Sequence, residues 1–418
     1  MDVECGNMTK LLPAAVSQGY LTEADIDSHV KRLLAIRFAL GEMDFDSPWD
    51  NIPESVLCSE EHRLQSLDIA RKSLVLLKND GILPLAKDAR IALVGPNAAD
   101  SVMMWGNYEG VPKRTVTLYD ALKSRIPDLK YVKGCPHAAE LEKEPTDINA
   151  VVAALDGYET VIFAGGITPR LEGEQMDDVD IPGFFGGDRT SIELPAVQKK
   201  LVAALVEAGK KVIFVNFSGS AIALKDEDRI CSAIVQAWYP GQEGGTAVAD
   251  LLYGEFNPSG KLPLTFYADD SQLKDFKDYD MEGRTYRYFR GRPQYAFGHG
   301  LSYTTFKYRR PKVRTLEDGS KAVVVKVKNK GKRDGDEIVQ LYISKPDDAE
   351  GPVRVLRGMQ RVSIKARQTV TVTIPLDEET FNWWNPETGR MQPCPGNYVL
   401  AVGRSSVDKD LRKIKYTN

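Results

Sequence analysis

Cysteine and histidine are scarce, with five and four of them in 418 residues. Cys5, Cys58, Cys135, Cys231 and Cys394 are scattered, odd in number and never in a CxxC pair. This spacing supports neither a disulfide framework nor a zinc knuckle. The histidines lie far apart and form no HExxH, so no metal site is expected. Neither charge is in surplus: 55 Lys and Arg stand against 59 Asp and Glu, a net charge of −4. That balance gives no electrostatic basis for a nucleic-acid partner or an anionic membrane. No apolar run approaches the roughly 20 residues that span a bilayer, so no membrane segment is expected. The start, MDVECGNMTK, has no basic stretch followed by an apolar core, so no signal peptide is expected in it. It reads instead as a strand end running into a loop, the tail of something larger. A phosphate loop needs GxxxxGK[ST] or GxGxxG, and neither occurs, so no nucleotide cofactor is expected. GxSxG is absent too.

What is present is ample apolar material, 42% of residues, enough for cores in two or three domains. Thr22, with Asp25 three residues on, opens a helix with Ile26, Val30, Leu33, Leu34 and Leu40 at helical spacing and Gly41 closing it. Such a face must be buried, either on the next domain or on a domain that the chain lacks. Beyond Pro48, Asn51 and Pro53, the run from His62 to Asp80 reads as a helix turning into a strand. Apolar strands are then expected at Arg90–Val94, Tyr131–Val132, Val161–Ala164, Val212–Phe217 and Ala233–Ala237. Helical segments are expected between them at Leu118–Arg125, Ile148–Leu155, Pro195–Ala208 and Gly245–Leu252. This alternation predicts an open, mostly parallel α/β sheet with helices on both faces. The glycine turns Val94–Ala98 and Tyr239–Gly245 read as close backbone passages.

From about Tyr303 the pattern shifts to short alternating strands, at 322–328, 338–343, 362–365, 369–374 and 397–402, with turns at Lys330-Gly331-Lys332, Asp334-Gly335-Asp336 and Pro395-Gly396. This predicts an antiparallel β-sandwich. Trp383 and Trp384 read either as core aromatics or as sugar contacts.

The most informative stretch is Phe163 to Pro195. An apolar strand breaks at Gly165-Gly166 into a long loop carrying Glu172, Glu174, Asp177, Asp178, Asp180, Asp188 and Arg189, before a helix expected near Ser191. Loops beyond the carboxyl ends of parallel strands are where α/β sheets bind ligands. Long loops are functional more often than short ones. A solvated acidic surface loop is the other reading. Asp188-Arg189 either braces the loop or caps the next helix. His299, in Phe297-Gly-His-Gly-Leu-Ser-Tyr303, reads as structural.

Four motifs in order resemble glycoside hydrolase family 3. Ala70-Arg-Lys-Ser-Leu-Val-Leu-Leu-Lys-Asn79 with Gly81-Ile-Leu-Pro84 is similar to the opening of that family's second domain. Glu172-Gly-Glu174, Gly187-Asp-Arg189, Ile192-Glu-Leu-Pro195 and Gln198 resemble its acid/base loop. Pro240-Gly-Gln-Glu-Gly-Gly245, Ala249-Asp250, Leu252 and Asn257-Pro-Ser-Gly-Lys-Leu-Pro263 resemble a further signature. Tyr286-Arg-Tyr-Phe289 and Phe297 to Phe306 resemble the lead-in to a fibronectin III-like domain. Trp105-Gly-Asn-Tyr-Glu-Gly110 and the form of the loop look most like β-xylosidases, with β-glucosidases close behind.

The resemblance implies residues 1–46 as the remnant of a (β/α)8 barrel, with Asp2-Val-Glu-Cys-Gly6 as its last strand and loop. Residues 47–68 would be a linker, 69–285 the α/β sandwich domain and 286–418 the fibronectin III-like domain with its lead-in. A barrel needs about 250 residues, so the aspartate nucleophile is expected upstream of this chain, on a missing barrel domain. The implied reaction is retaining hydrolysis releasing terminal β-D-xylose or β-D-glucose from an oligosaccharide or aryl β-glycoside. Its acid must stay protonated near neutral pH and sit about 5–5.5 Å from the nucleophile. Glu174 is favoured as acid/base and Glu172 is second; Arg170, Asp188, Arg189, Trp105 and Asn107 are expected to bind substrate or support the loop. The isolated chain is expected to have little or no activity, and the family is often periplasmic or secreted. A non-catalytic carbohydrate-binding or structural module of the same fold is the alternative, and a nucleotide-binding α/β protein a distant third.

Overall fold

The computed structural model describes residues 8–43, 49–141 and 145–418. The expected barrel strand at Asp2–Gly6, the boundary at residue 46 and Pro48 lie outside the described residues. The chain divides into two compact units, Met1–His62 and Arg63–Asn418.

In the first unit, the expected helix spans Glu23–Ala39. Thr22 and Asp25 form a reciprocal capping box: Asp25 N donates to Thr22 Oγ1 at 3.2 Å, and Thr22 N donates to Asp25 Oδ2 at 2.9 Å. Gly41, at φ 78°, ends it, with Gly41 N donating to Phe38 O and Glu42 N to Arg37 O. These two bonds satisfy the last carbonyls in a Schellman motif. The helix buries none of its residues, and Val30, Ile36, Phe38 and Leu40 are exposed.

The second unit is built on a six-stranded sheet. Its strands are β1 (Val75–Asn79), β2 (Ile91–Val94), β3 (Lys130–Val132), β4 (Thr160–Gly166), β8 (Lys211–Phe217) and β9 (Ala233–Gln236), while β5 to β7 belong to the loop after β4. The order is β1-β9-β8-β4-β2-β3. All neighbours are parallel except β1, which runs antiparallel to β9. Every residue of β4 except Thr160, and of β8 except Lys211, is buried. Strands covered on both faces have no solvent side, and this explains apolar runs without alternation. Leu118, Leu122, Val248 and Leu252, from the helices Leu118–Arg125 and Gly244–Tyr253, pack with Ile162 and Val215 on one face. Leu201, Val202 and Leu205 of the helix Ala196–Glu207 pack with Phe163 and Phe214 on the other.

β4 runs two residues further than the sequence suggests. Gly165 and Gly166 do not break it but pair with Asn216 and Phe217. Gly166 sits at φ +121°, where a Cβ would lie 2.0 Å from Phe217 O. Only glycine closes this parallel pair. The next helix begins at Ala196, with Pro195 as its N-cap, rather than near Ser191. Ser191 Oγ instead donates to Asp270 Oδ2 at 2.7 Å.

The remainder is an antiparallel sandwich. One sheet joins Phe306–Tyr308, Lys312–Thr315, Lys321–Asn329 and Thr369–Leu376; the other joins Val355–Ile364, Gly335–Ser344, Asn397–Gly403 and Leu411–Thr417. Val323, Val325 and Val327 alternate inward onto Leu341, Ile343 and Leu400, the period of two that a half-buried sheet requires. Trp383 is core, whereas Trp384 is 57% exposed.

Candidate functional site

Four loops at the carboxyl ends of β2, β4, β8 and β9 converge on a groove of about 570 Å3. Asn107 and Tyr108 follow β2, Glu172 to Glu174 and Gly187 to Arg189 follow β4, Gly219 and Ser220 follow β8, and Tyr239 follows β9. Strand order reverses between β2 and β4, and such a switch point is where an open α/β sheet leaves a crevice.

The root of the acidic loop is clamped by Gln198, which is fully buried on the helix Ala196–Glu207. Gly166 N donates to its Oε1 at 2.8 Å, and its Nε2 donates to Gly166 O at 2.7 Å and His137 O at 2.8 Å. Beside it, Asn97 Nδ2 donates to Ile167 O at 3.2 Å. Asn97 Oδ1 must therefore accept from His137 Nε2, which fixes the proton on that ring nitrogen. Burial lowers the His137 pKa to about 4; Asp100 opposes this shift, and Arg170 and Lys133 add to it.

The loop itself is ordered by a miniature antiparallel sheet of β5 (Asp180–Ile181), β6 (Phe184–Phe185) and β7 (Asp188–Arg189). Phe184, Val179 and Leu171 are buried and join the core below. Gly173 N donates to Gly187 O at 3.0 Å and Met176 N to Gly186 O at 3.1 Å, so the hairpin holds the segment that carries both glutamates. Gly187, at φ +88°, leaves no room for a side chain: a Cβ would stand 2.1 Å from Gly173 O.

The two glutamates face different surroundings. Glu172 is half-buried, and its Oε1 accepts from Ser220 Oγ at 2.5 Å. Arg189 lies close by, with Nη1 donating to Ala221 O at 2.9 Å and Ser220 Oγ at 3.2 Å, and Nη2 to Glu193 O at 3.3 Å. Burial pulls the Arg189 pKa down while Glu172 pushes it back up. Burial also raises the Tyr239 pKa, with Glu172 adding to the shift, and the Tyr239 hydroxyl is buried without a partner. Glu174 is exposed, and its Oε2 accepts from the hydroxyl of Tyr108. That bond raises the Tyr108 pKa.

Of the sequence-derived candidates, Glu172, Glu174, Asn107, Asp188 and Arg189 line the groove together. Asn107 supports the loop by donating to Glu172 O at 2.9 Å. Arg189 braces the loop against the segment that follows β8 and does not cap a helix. Arg170 and Trp105 are not in the lining: Arg170 pairs with Asp100 at 3.0 Å, and Trp105 Nε1 donates to Thr115 Oγ1 at 2.8 Å. Tyr108, Ser220 and Tyr239 complete the site without having been singled out in the sequence. Tyr108 lies within the WGNYEG motif and Tyr239 opens the glycine turn Tyr239–Gly245, both usable signals; Ser220 arrives from a distant loop and carries none. Chemically, the groove offers an exposed carboxyl beside a phenol, above a second carboxylate fixed by a hydroxyl near a guanidinium.

The glycosyl hydrolase family 3 C-terminal domain matches residues 74–303, and a fibronectin type III-like domain matches residues 337–406. The chain belongs to glycoside hydrolase family 3. It is 38% identical to a xylan 1,4-beta-xylosidase of Xylanibacter ruminicola, across 100% of this chain and 65% of that protein. It is 30% identical to a periplasmic beta-glucosidase of Salmonella typhimurium, across 95% and 56%. A solved β-glucosidase from Erythrobacter marinus superposes with a TM-score of 0.82 at 31% identity, covering 97% of this chain and 57% of that one. The chain thus spans between about half and two thirds of the length of these relatives.

Proposed function

We propose that the chain is the C-terminal portion of a retaining β-xylosidase or β-glucosidase, with Glu174 as its acid/base. The observation that carries this reading is the placement of Glu174 on the rim of a switch-point groove, beside Tyr108 and pinned through Gly173 to the hairpin. An acid that protonates a leaving oxygen must reach the substrate and exchange protons with solvent between steps. Glu174 is exposed and lines the groove, the position such an acid requires. Glu172 is already engaged by Ser220, with Arg189 close by, contacts suited to a side chain that positions the loop. Asn107 and Asp188 line the same wall and would meet substrate hydroxyls. The aspartate nucleophile belongs to a barrel domain supplied outside this chain.

In this mechanism Glu174 gives its proton to the glycosidic oxygen as the barrel carboxylate attacks the anomeric carbon. It then takes a proton from the water that hydrolyses the glycosyl-enzyme. The test is hydrolysis of aryl β-xyloside and aryl β-glucoside by the chain alone and by its fusion to a family barrel. The chain alone should be inert and the fusion active. Turnover by the isolated chain would place a nucleophile within these residues and overturn the assignment. Sugar affinity without turnover in a correctly folded fusion would favour the non-catalytic module.

A further inference from the structure

The sandwich carries a second hollow, of about 690 Å3, that shares no residue with the groove. It lies between the turn Thr285–Tyr288 and the hairpin Asn382–Asn385 with Arg390–Pro393. Along that hairpin the two tryptophans alternate, as strand geometry demands. Trp383 is buried, and its Nε1 donates to Asp348 Oδ2 at 2.6 Å. Trp384 points outward, 57% exposed, opposite Met391, which is 52% exposed. Inward packing explains Trp383, whereas Trp384 keeps more than half of its surface open among the described residues.

The remaining walls are strongly polar yet nearly balanced. Arg287, Lys345 and Arg357 face Asp347, Asp348, Glu350 and Glu387, three cations against four carboxylates. Near-cancelling charge selects neither an anion nor a cation. A flat aromatic ring beside side chains that donate and accept in fixed directions suits a ligand with an apolar C–H face and a hydroxyl edge. A hollow of this size holds a few sugar rings, the range in which small-ligand sites fall.

We propose that this cleft binds a neutral polysaccharide chain, with Trp384 stacking on one sugar ring and the flanking carboxylates and guanidinium groups meeting its hydroxyls. The site would hold polymer on the sandwich whether or not the groove cleaves it, so the proposal does not rest on the hydrolytic reading.

The test is native affinity electrophoresis in gels containing soluble xylan or mixed-linkage β-glucan. A Glu174→Gln background keeps any turnover from eroding the polymer. The parent should be retarded by at least one polymer. Trp384→Ala should need about tenfold more polymer for equal retardation, and Trp384→Phe should keep most of the effect. Glu387→Ala, on the exposed turn, should weaken retardation by a smaller factor. A parent that neither polymer retards overturns the proposal, and so does a Trp384→Ala chain retarded like its parent.

Discussion

Gln198 and Asn329 are both fully buried amides, yet they do different things. Asn329, in the sandwich, closes a turn. Its Nδ2 donates to Arg333 O and Ile364 O at 2.8 and 2.9 Å, while its Oδ1 accepts from Gly331 N at 2.9 Å and Thr304 Oγ1 at 2.5 Å. All of these partners lie in turns and strand ends away from the groove. Gln198 clamps the end of β4, where the acidic loop departs, and ties it to His137. Beneath the same loops, Asn216 Nδ2 donates to Gln236 Oε1 at 2.5 Å, and Gln236 Nε2 donates to Ser218 Oγ at 3.0 Å. Buried polar groups here anchor the carboxyl ends of the sheet, where an all-apolar core would leave the loops untied.

Substitution separates the two amides. Gln198→Leu leaves one N–H and two carbonyls without partners, and Asn329→Leu leaves a comparable set. At about 1–3 kcal/mol for each unmade buried bond, either change should cost about 3 kcal/mol or more in urea unfolding. Only Gln198→Leu should also speed hydrogen exchange at the Gly173 and Met176 amides. Equal exchange in both variants would show that the loop is not held through its root.

Acid should distinguish the regions next. His137 is neutral in the folded chain, with its pKa near 4 against an ordinary value of 6.5. As pH falls from about 6.5 to 4, the unfolded chain takes up a proton that the folded one refuses, so folding stability is lost with falling pH. Linkage puts the loss at roughly 2–3 kcal/mol. Denaturation midpoints between pH 7 and 4 should fall less steeply in His137→Gln.

Gly187→Ala is expected to cost about 2 kcal/mol through strain at positive φ and the crowding of Gly173 O. It should also displace the glutamate segment, seen as lost activity in the barrel fusion. Smallest of all, Glu174→Gln should change stability by no more than about 0.5 kcal/mol, because the side chain is exposed. Glu172→Gln should cost more, since it weakens a half-buried contact with Ser220.

Much of this architecture was legible in sequence. Apolar runs marked β2, β4, β8 and β9 because parallel strands are buried on both faces. The helix Leu118–Arg125 was readable residue for residue. The loop's internal order was not: β5, β6 and β7 have two residues each, too few to show any period. The short helix Lys225–Ile230 was hidden too, since five of its six residues are charged and it has no apolar stripe. Within the site, Glu172 and Glu174 stood out through their motif. Ser220 did not, because its tie to Glu172 spans 48 residues and depends on β8 lying beside β4. The Trp105 motif borders the groove, while the Trp105 side chain itself turns to Thr115.

In the proposed mechanism Glu174 moves the proton while Glu172 holds the loop. This division of roles is tested most directly by comparing the two glutamine variants of the barrel fusion on aryl β-glycosides whose leaving groups differ in basicity. For Glu174→Gln, kcat/KM should fall by about 100-fold or more on a phenyl glycoside that needs protonation and far less on a dinitrophenyl glycoside that does not. Glu172→Gln should lose activity evenly across both. A leaving-group-dependent loss in Glu172→Gln, with an even loss in Glu174→Gln, would contradict the account and exchange the two roles.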